Sequence, residues 1–379
     1  MPSAIGHAKP TQPTVAPMAF VPSMATKGRG TAWALQHRFS ADQRESFDDG
    51  WGTQDQHASE QHLPLQTQVI EEHVKSILTG NDSPDIGFDL SINPYRGCEH
   101  GCIYCFARPT HSYLNMSPGI DFETRIVAKV NAAERLRETF AKPSYVPMSL
   151  NVGSATDAYQ PVERRLGITR SIIEVLSECQ HGFSLFTKSS GVERDLDLIA
   201  PMAAKGLVAI YVSITTLDPQ LARTMEPRAA APYRRLKTIE ALAKAGVPVG
   251  VSVSPMIPFL NLHDMERILE AAREAGASAA SSIVLRLPWE VSPLFQQWLK
   301  QHVPERAERI MARVREMRGG KDYDAKFGTR MTGTGIWAQM IRQRFEKASA
   351  KLGFNRTRFD LDLAQFRRPS AQPGQASLF

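Results

Sequence analysis

Three of the four cysteines in this 379-residue chain fall within eight residues: Cys98, Cys102 and Cys105, in the run NPYRGCEHGCIYCFARPTH. That crowding excludes a disulfide framework. Pairing any two of them leaves an odd thiol, and the remaining cysteine, Cys179, stands alone. The spacing CxxxCxxC instead lets one loop present three thiolates. Iron–sulfur cubes are ordinarily held by four, so three thiolates leave one iron of a [4Fe-4S] cube without a protein ligand. An open position of that kind is what a catalytic metal site keeps for a substrate or cofactor. The alternative is a tetrahedral zinc site completed by His100 or His111. Gly97 and Gly101 give the loop the backbone freedom to wrap a bulky group.

The chain around the loop sets its structural context. From about residue 84, strands and helices alternate. FDLSI precedes the cysteine loop, and strands are predicted at 148–155, 183–188, 207–215, 247–255 and 281–288. Helices are predicted over Phe122–Phe140, Gly167–Glu178, Leu196–Ala204, Tyr233–Ala245 and His263–Ala275, the last two closed by Gly246 and Gly276. Alternation of this length means a parallel sheet. Six βα units with apolar strands fit a partial (β/α)6 barrel over residues 84–290. In such barrels the site lies at the C-terminal strand ends, and the cysteine loop follows the first strand. After residue 290 the pattern is helical, with candidates at Glu305–Met317 and Ile336–Leu352.

The motif CxxxCxΦC, with Tyr104 before the third cysteine, resembles the signature of the radical S-adenosylmethionine (radical SAM) enzymes. The resemblance implies a [4Fe-4S] cluster on Cys98, Cys102 and Cys105, with S-adenosylmethionine (SAM) chelating the open iron. It also implies an electron donor such as flavodoxin or ferredoxin, and reductive cleavage of SAM to a 5′-deoxyadenosyl radical that abstracts hydrogen. By the same resemblance, Thr156 and Asp157 in the loop GSATDAYQP meet the SAM amino group. Lys188 meets its carboxylate and Ser213 and Thr215 its ribose, while Ser252 and Ser254, on the fifth strand, face the same cavity. A strand-end cap or internal hydrogen bond is the competing role for each. Lys188 has the strongest case, because an unpaired buried charge is costly. Tyr104 is the candidate catalytic side chain and radical relay, ahead of Tyr159 and Tyr211. Cys179 reads as an inert buried cysteine.

Within that superfamily, residues 90–290 look most like the branch of the spore photoproduct lyases, which reverse a thymine dimer lesion in DNA. The shared features are the cysteine loop, Ala155-Thr156-Asp157 and the strand-end Thr187-Lys188. Two departures stand out. The lyase branch returns hydrogen through a cysteine and a tyrosine pair; Ser154 stands at the cysteine position, and Phe106 replaces the second tyrosine.

Charge and the chain ends bear on partners. The net charge is +6, but residues 301–369 carry sixteen Lys+Arg against eight Asp+Glu, or +8. A basic helical extension over 291–368 points to a nucleic acid partner. Arg306, Arg309 and Arg313 share one helix face, suited either to phosphates or to solvent. The alternatives are a small-molecule or protein substrate, or a non-catalytic iron–sulfur sensor. Residues 1–60 are Pro-, Ala- and Gln-rich and read as a largely disordered tail, in which KGRGTAWALQHRF is a candidate docking piece. Residues 369–379 read as a flexible tail. It ends in QASLF, where Gln375, Leu378 and Phe379 resemble the short peptide that binds the bacterial sliding clamp. No apolar run approaches a membrane span, and no secretory h-region is evident. Clustered thiols then place the protein in a reducing compartment, the cytoplasm.

Overall fold

The computed structural model describes residues 28–39 and 66–369. The clamp-peptide residues Gln375, Leu378 and Phe379 lie outside the described residues. Ten strands are described: β1 (Gln68–Glu72), β2 (Leu78–Gly80), β3 (Leu90–Ile92), β4 (Tyr95–Arg96), β5 (Arg125–Lys129), β6 (Leu150–Val152), β7 (Phe183–Thr187), β8 (Val208–Ser213), β9 (Val249–Met256) and β10 (Ala279–Val284). Seven form one sheet in the order β2-β3-β6-β7-β8-β9-β10, with β2 antiparallel and the other six parallel. Each crossover advances by one strand, which is the winding of a β/α barrel. The strands are apolar because both faces are covered: Leu185, Ile210, Val212, Val251 and Val253 are fully buried. The surrounding helices supply the cover. Met265–Glu274 buries Met265, Ile268, Leu269 and Ala272, one face at helical spacing.

Among the described residues the sheet does not close on itself. A stretch of the C-terminal extension bridges the seam. The Val284 N–H on β10 donates to the Met331 carbonyl at 3.1 Å. The Gly328 N–H and the Arg330 guanidinium each reach Asp85, between β2 and β3, at 2.7 Å. Beneath them, buried Arg318 donates to the carbonyls of Leu285 at 2.7 Å and Arg330 at 2.8 Å.

The helix expected over Phe122–Phe140 is not one element. Asp121–Thr124 makes a single turn, β5 follows, and a second helix runs over Ala132–Ala141. The β-branched pair Ile126-Val127 finds better partners in a strand: β5 pairs parallel with β1 and antiparallel with β4 in a separate three-stranded sheet. Two further helices, Pro219–Met225 and Val291–His302, were not singled out by periodicity. The second of these matters for the site. Its Leu294, Phe295, Trp298 and Leu299 share a core with Ile310 and Val314 of Ala307–Glu316 and with Cys102, Ile103 and Tyr104. The C-terminal helices therefore support the cysteine loop from below. No helix among the described residues is long and apolar enough to cross a membrane.

Residues 28–39 lie across the other side of that loop. The Ile120 N–H donates to the Trp33 carbonyl at 2.8 Å, and the Ser117 hydroxyl to the Leu35 carbonyl at 2.9 Å. The approach is backbone to backbone. A Cβ on Gly30 would sit 1.9 Å from the Gly101 carbonyl oxygen.

Candidate active site

The cysteine loop sits just past the C-terminal end of β3 and is organised by one buried ion pair. Arg108, fully buried, donates to the carbonyls of Gly101 (3.2 Å), Cys102 (3.0 Å) and Gly119 (2.9 Å), and to the Glu123 carboxylate at 2.5 Å. Glu123 in turn accepts the Gly30 N–H at 2.8 Å. A planar guanidinium suits this task, since its five donors hold several carbonyls in fixed directions. Gly97 and Gly101 have φ of +84° and +66°, and a Cβ on Gly97 would meet the His111 ring at 2.8 Å.

The three thiols are all free. Burial, and then Asp157 and the two neighbouring thiols, push Cys98 well above its usual pKa. Burial pushes Cys102 up to about 12, although Lys188 pulls the other way. Burial also raises Cys105. Cys98 and Cys102 are buried and Cys105 is partly so; a bound cluster would take all three as thiolates and release their protons. Among the described residues no three Cys, His, Asp or Glu side chains converge on a point that one metal ion could occupy. His100 and His111 are each held at one ring nitrogen, and His111 Nδ1 is buried with no hydrogen-bond partner among the described residues. His100 Nδ1 lies 3.3 Å from Asp157, and His111 Nε2 lies 3.0 Å from the Arg125 carbonyl. Three thiols on one loop are donors of the kind that hold an iron–sulfur cluster.

Behind the loop lies a charged network that gave no signal in sequence. Glu226, buried on the segment after Pro219–Met225, accepts from Tyr104, from Arg235 and from Thr215 at 2.6 Å. Arg235 also donates to the carbonyls of Ala230 at 2.7 Å and Ser213 at 3.0 Å. Burial would raise the Glu226 carboxyl, but Arg235 and Lys188 more than offset it and hold it at about 2. Burial and the Glu226 carboxylate drive Tyr104 well above its usual pKa, so it stays a neutral donor.

The residues expected to hold SAM fall into two groups. Thr156 and Asp157 turn toward the protein. The Thr156 hydroxyl donates to the Gly97 carbonyl at 2.6 Å and accepts from Gln160 at 3.0 Å. Asp157 accepts the Thr187 hydroxyl at 2.8 Å and the Lys188 N–H at 2.7 Å. Burial would raise its carboxyl; His100 and these donors hold it at about 2. These two residues fasten the cysteine loop to the end of β7. Thr215 is likewise engaged with Glu226. Lys188 differs. Its ammonium lies 5.8 Å from the Tyr104 ring centre and forms no ion pair or hydrogen bond with another described residue. Burial disfavours its charge, yet Cys102 and Glu226 raise its pKa overall. Ser213, at the end of β8, is buried. Ser252 is buried on β9, and the Ser254 hydroxyl accepts the Ile283 N–H at 3.0 Å. Ser154 exchanges hydrogen bonds with the Asn93 amide at 3.1 Å and 3.4 Å. Phe106 is half exposed.

Arg306 and Arg309 are exposed and Arg313 is partly so, and each also has a partner in the protein. Arg309 stacks over the Phe259 ring at 3.7 Å, Arg306 donates to the Phe259 carbonyl at 3.2 Å, and Arg313 lies over Trp337 at 5.3 Å.

The sequence pattern of the Radical SAM superfamily matches residues 92–272, from the end of β3 into the helix after β9. An uncharacterised protein of Mycobacterium tuberculosis is 37% identical over 232 residues, covering 61% of this chain and 67% of the relative. One from Methanocaldococcus jannaschii is 26% identical over 243 residues, 64% of this chain and 86% of the relative. The structure of spore photoproduct lyase complexed with dinucleoside spore photoproduct superposes with a TM-score of 0.53 at 14% identity, over 76% of this chain and 80% of the lyase. A double mutant of the lyase with bound AdoMet and the same dinucleoside gives 0.51 at 14% identity, with the same coverage. At such identity the likeness is one of fold. The matched pattern spans the three-thiol loop at the strand ends, and this chain belongs to the radical SAM superfamily of enzymes, a family that implies a [4Fe-4S] cluster and SAM.

Proposed function

We propose that the enzyme holds a [4Fe-4S] cluster through Cys98, Cys102 and Cys105, binds SAM beside it, and acts on a nucleic acid. When bound, cluster and SAM together supply the 5′-deoxyadenosyl radical that abstracts hydrogen in this family. The chain's own residues position and shield. Lys188 carries the reading: a cation near the cluster thiols that forms no direct ion pair with another described residue, matched to the SAM carboxylate. Ser213, which ends β8, is the residue assigned to the SAM ribose in this reading, with Thr215 beyond it. Tyr104, fixed by Glu226 and Thr215, is a neutral donor adjoining Cys105. Residues 28–39 and the C-terminal helices keep water from the loop on two sides. A flavodoxin- or ferredoxin-like donor in a reducing cytoplasm supplies the electron.

The nucleic acid half of the proposal rests on the +8 charge of residues 301–369 and on the dinucleoside bound by the lyase of like fold. The clamp peptide Gln375, Leu378 and Phe379 adds a partner on sequence alone. Thymine dimer reversal by the lyase route is not expected. The O–H bond of Ser154 is too strong to donate a hydrogen atom, and Phe106 offers no O–H at all. The test is anaerobic incubation of reconstituted enzyme with SAM, dithionite and either undamaged or lesion DNA. The expected result is 5′-deoxyadenosine in both, deuterium transfer from labelled oligonucleotide to it, and no repaired dimer. A cluster-bearing protein that leaves SAM intact would instead be a sensor, and efficient repair would overturn the departure argued from Ser154 and Phe106.

A further inference from the structure

Four of the ten exposed large apolar side chains among the described residues gather at one rim: Phe39, Phe106, Tyr113 and Trp289. Single exposed aromatics are ordinary, but a contiguous patch with charged edges marks an interaction surface. Here the rings and two arginines form an unbroken line. Tyr113 meets Phe39 at 5.2 Å, and Arg38 lies over Phe39 at 4.5 Å and Trp289 at 4.4 Å. Trp289 meets Tyr323 at 6.4 Å, Tyr323 contacts Arg286 at 3.4 Å, and Arg286 lies over Phe106 at 5.3 Å. Phe106 directly follows Cys105, so the inner end of the line reaches the candidate active site. Its members come from four separated parts of the chain, so local sequence does not account for their meeting.

The two arginines differ in a way that assigns roles. Arg38 is held by the buried Glu290 carboxylate at 2.9 Å, so its charge is spent inside the protein. Arg286 has no carboxylate partner among the described residues; it lies over Phe106 and hydrogen-bonds there only to the Tyr323 hydroxyl and the Met331 sulfur. Arg286 is partly exposed, so its guanidinium, paired with no carboxylate there, is open to an outside phosphate. Trp289 has φ of +44°, rare for a bulky residue, and is held out at 55% exposure. Alternating π-faces with one unpaired guanidinium match alternating bases and phosphates. A duplex hides its base faces, whereas an unpaired strand offers them.

We propose that this line is the substrate track of the enzyme, on which an unpaired nucleic acid strand stacks its bases against Trp289 and Phe106 and sets a phosphate on Arg286. The inference rests on the nucleic acid reading above and narrows it to a strand whose target nucleotide is out of its helix. The probe is a mixed-sequence single-stranded DNA oligonucleotide, with its duplex and the RNA of the same sequence as further arms, added to full-length reconstituted protein. Tryptophan emission and fluorescence anisotropy are both recorded. Single strands, DNA or RNA, should bind more tightly than duplex and quench emission, with the tighter of the two naming the polymer. Trp289→Ala should lose that quench, and Trp289→Ala and Phe106→Ala should each weaken binding about tenfold. Arg286→Gln should lower the salt dependence by about one counterion. Both aromatics are at least half exposed, so unchanged thermal midpoints are the check on folding. Wild-type affinity in all three variants, or duplex binding as tight as single strand, overturns the track. Wild-type protein that yields 5′-deoxyadenosine but binds no oligonucleotide also overturns it, while leaving the radical chemistry standing.

Discussion

At the scale of single residues, the site is built from charges that cannot be removed one at a time. Glu226 and Arg235 are both almost completely buried, and the pair also fixes Tyr104 and Thr215. Glu226→Gln leaves Arg235 without its counter-charge, and breaking a buried pair from one side costs about 3–5 kcal/mol. Tyr104→Phe removes one of several donors to Glu226 and should cost about 1 kcal/mol; equal losses in urea titrations would contradict this ranking. The contrast with the cysteines shows what a sequence can and cannot reveal. Cys98, Cys102 and Cys105 announce themselves because their chemistry is local. Glu226 lies 122 positions from Tyr104, with no spacing to mark it. Thr156, Asp157 and Thr215 were legible as strand-end polar residues, but their hydrogen-bond partners, which fix the loop rather than face outward, were not.

At the scale of elements, the segments flanking the barrel hold the site together. Residues 28–39 press on the cysteine loop with glycine at the point of contact, so Gly30→Ala must displace either the segment or Gly101. Hydrogen exchange should show faster exchange of the Ile120 amide, which donates to Trp33, and lower iron content after reconstitution; unchanged exchange would mean the contact is slack. The far end of the chain is latched differently. Fully buried His181 stacks on Phe140 at 4.8 Å, meets Phe366 edge-on at 5.4 Å and bonds the Tyr145 hydroxyl at 2.7 Å. Burial lowers its pKa below 6.5, so the unfolded chain binds the proton more tightly. Stability should therefore fall as pH drops below 6.5. In His181→Phe that part of the loss should vanish, seen as a smaller fall in Tm between pH 7 and pH 5; an identical fall would contradict it. The sequence read as helix across Phe122–Phe140 because apolar residues there also satisfy a helical period. What decides for β5 is β1, 57 positions earlier in register, an interaction that periodicity does not contain.

At the scale of the whole molecule, the six parallel strands were legible because burial on both faces makes each an apolar run. Their order, one step at a time, places the end of β3 and its cysteine loop beside the ends of β6 to β9. The extension after β10 was legible as basic and helical, but not in its two structural duties. It closes the seam through Arg330 and Met331, and it carries the cysteine loop on the core of Val291–His302 and Ala307–Glu316. Among the described residues the molecule thus presents one loop with three thiols and, near it, the Lys188 ammonium, which forms no direct ion pair there. That arrangement is tested most directly by 5′-deoxyadenosine formation from SAM and dithionite under anaerobic conditions, in wild type and in Cys98→Ala, Cys102→Ala, Cys105→Ala and Cys179→Ala. Wild type and Cys179→Ala should form it, and the other three should form none and lack the cluster. Wild-type yield from any of those three would contradict the account.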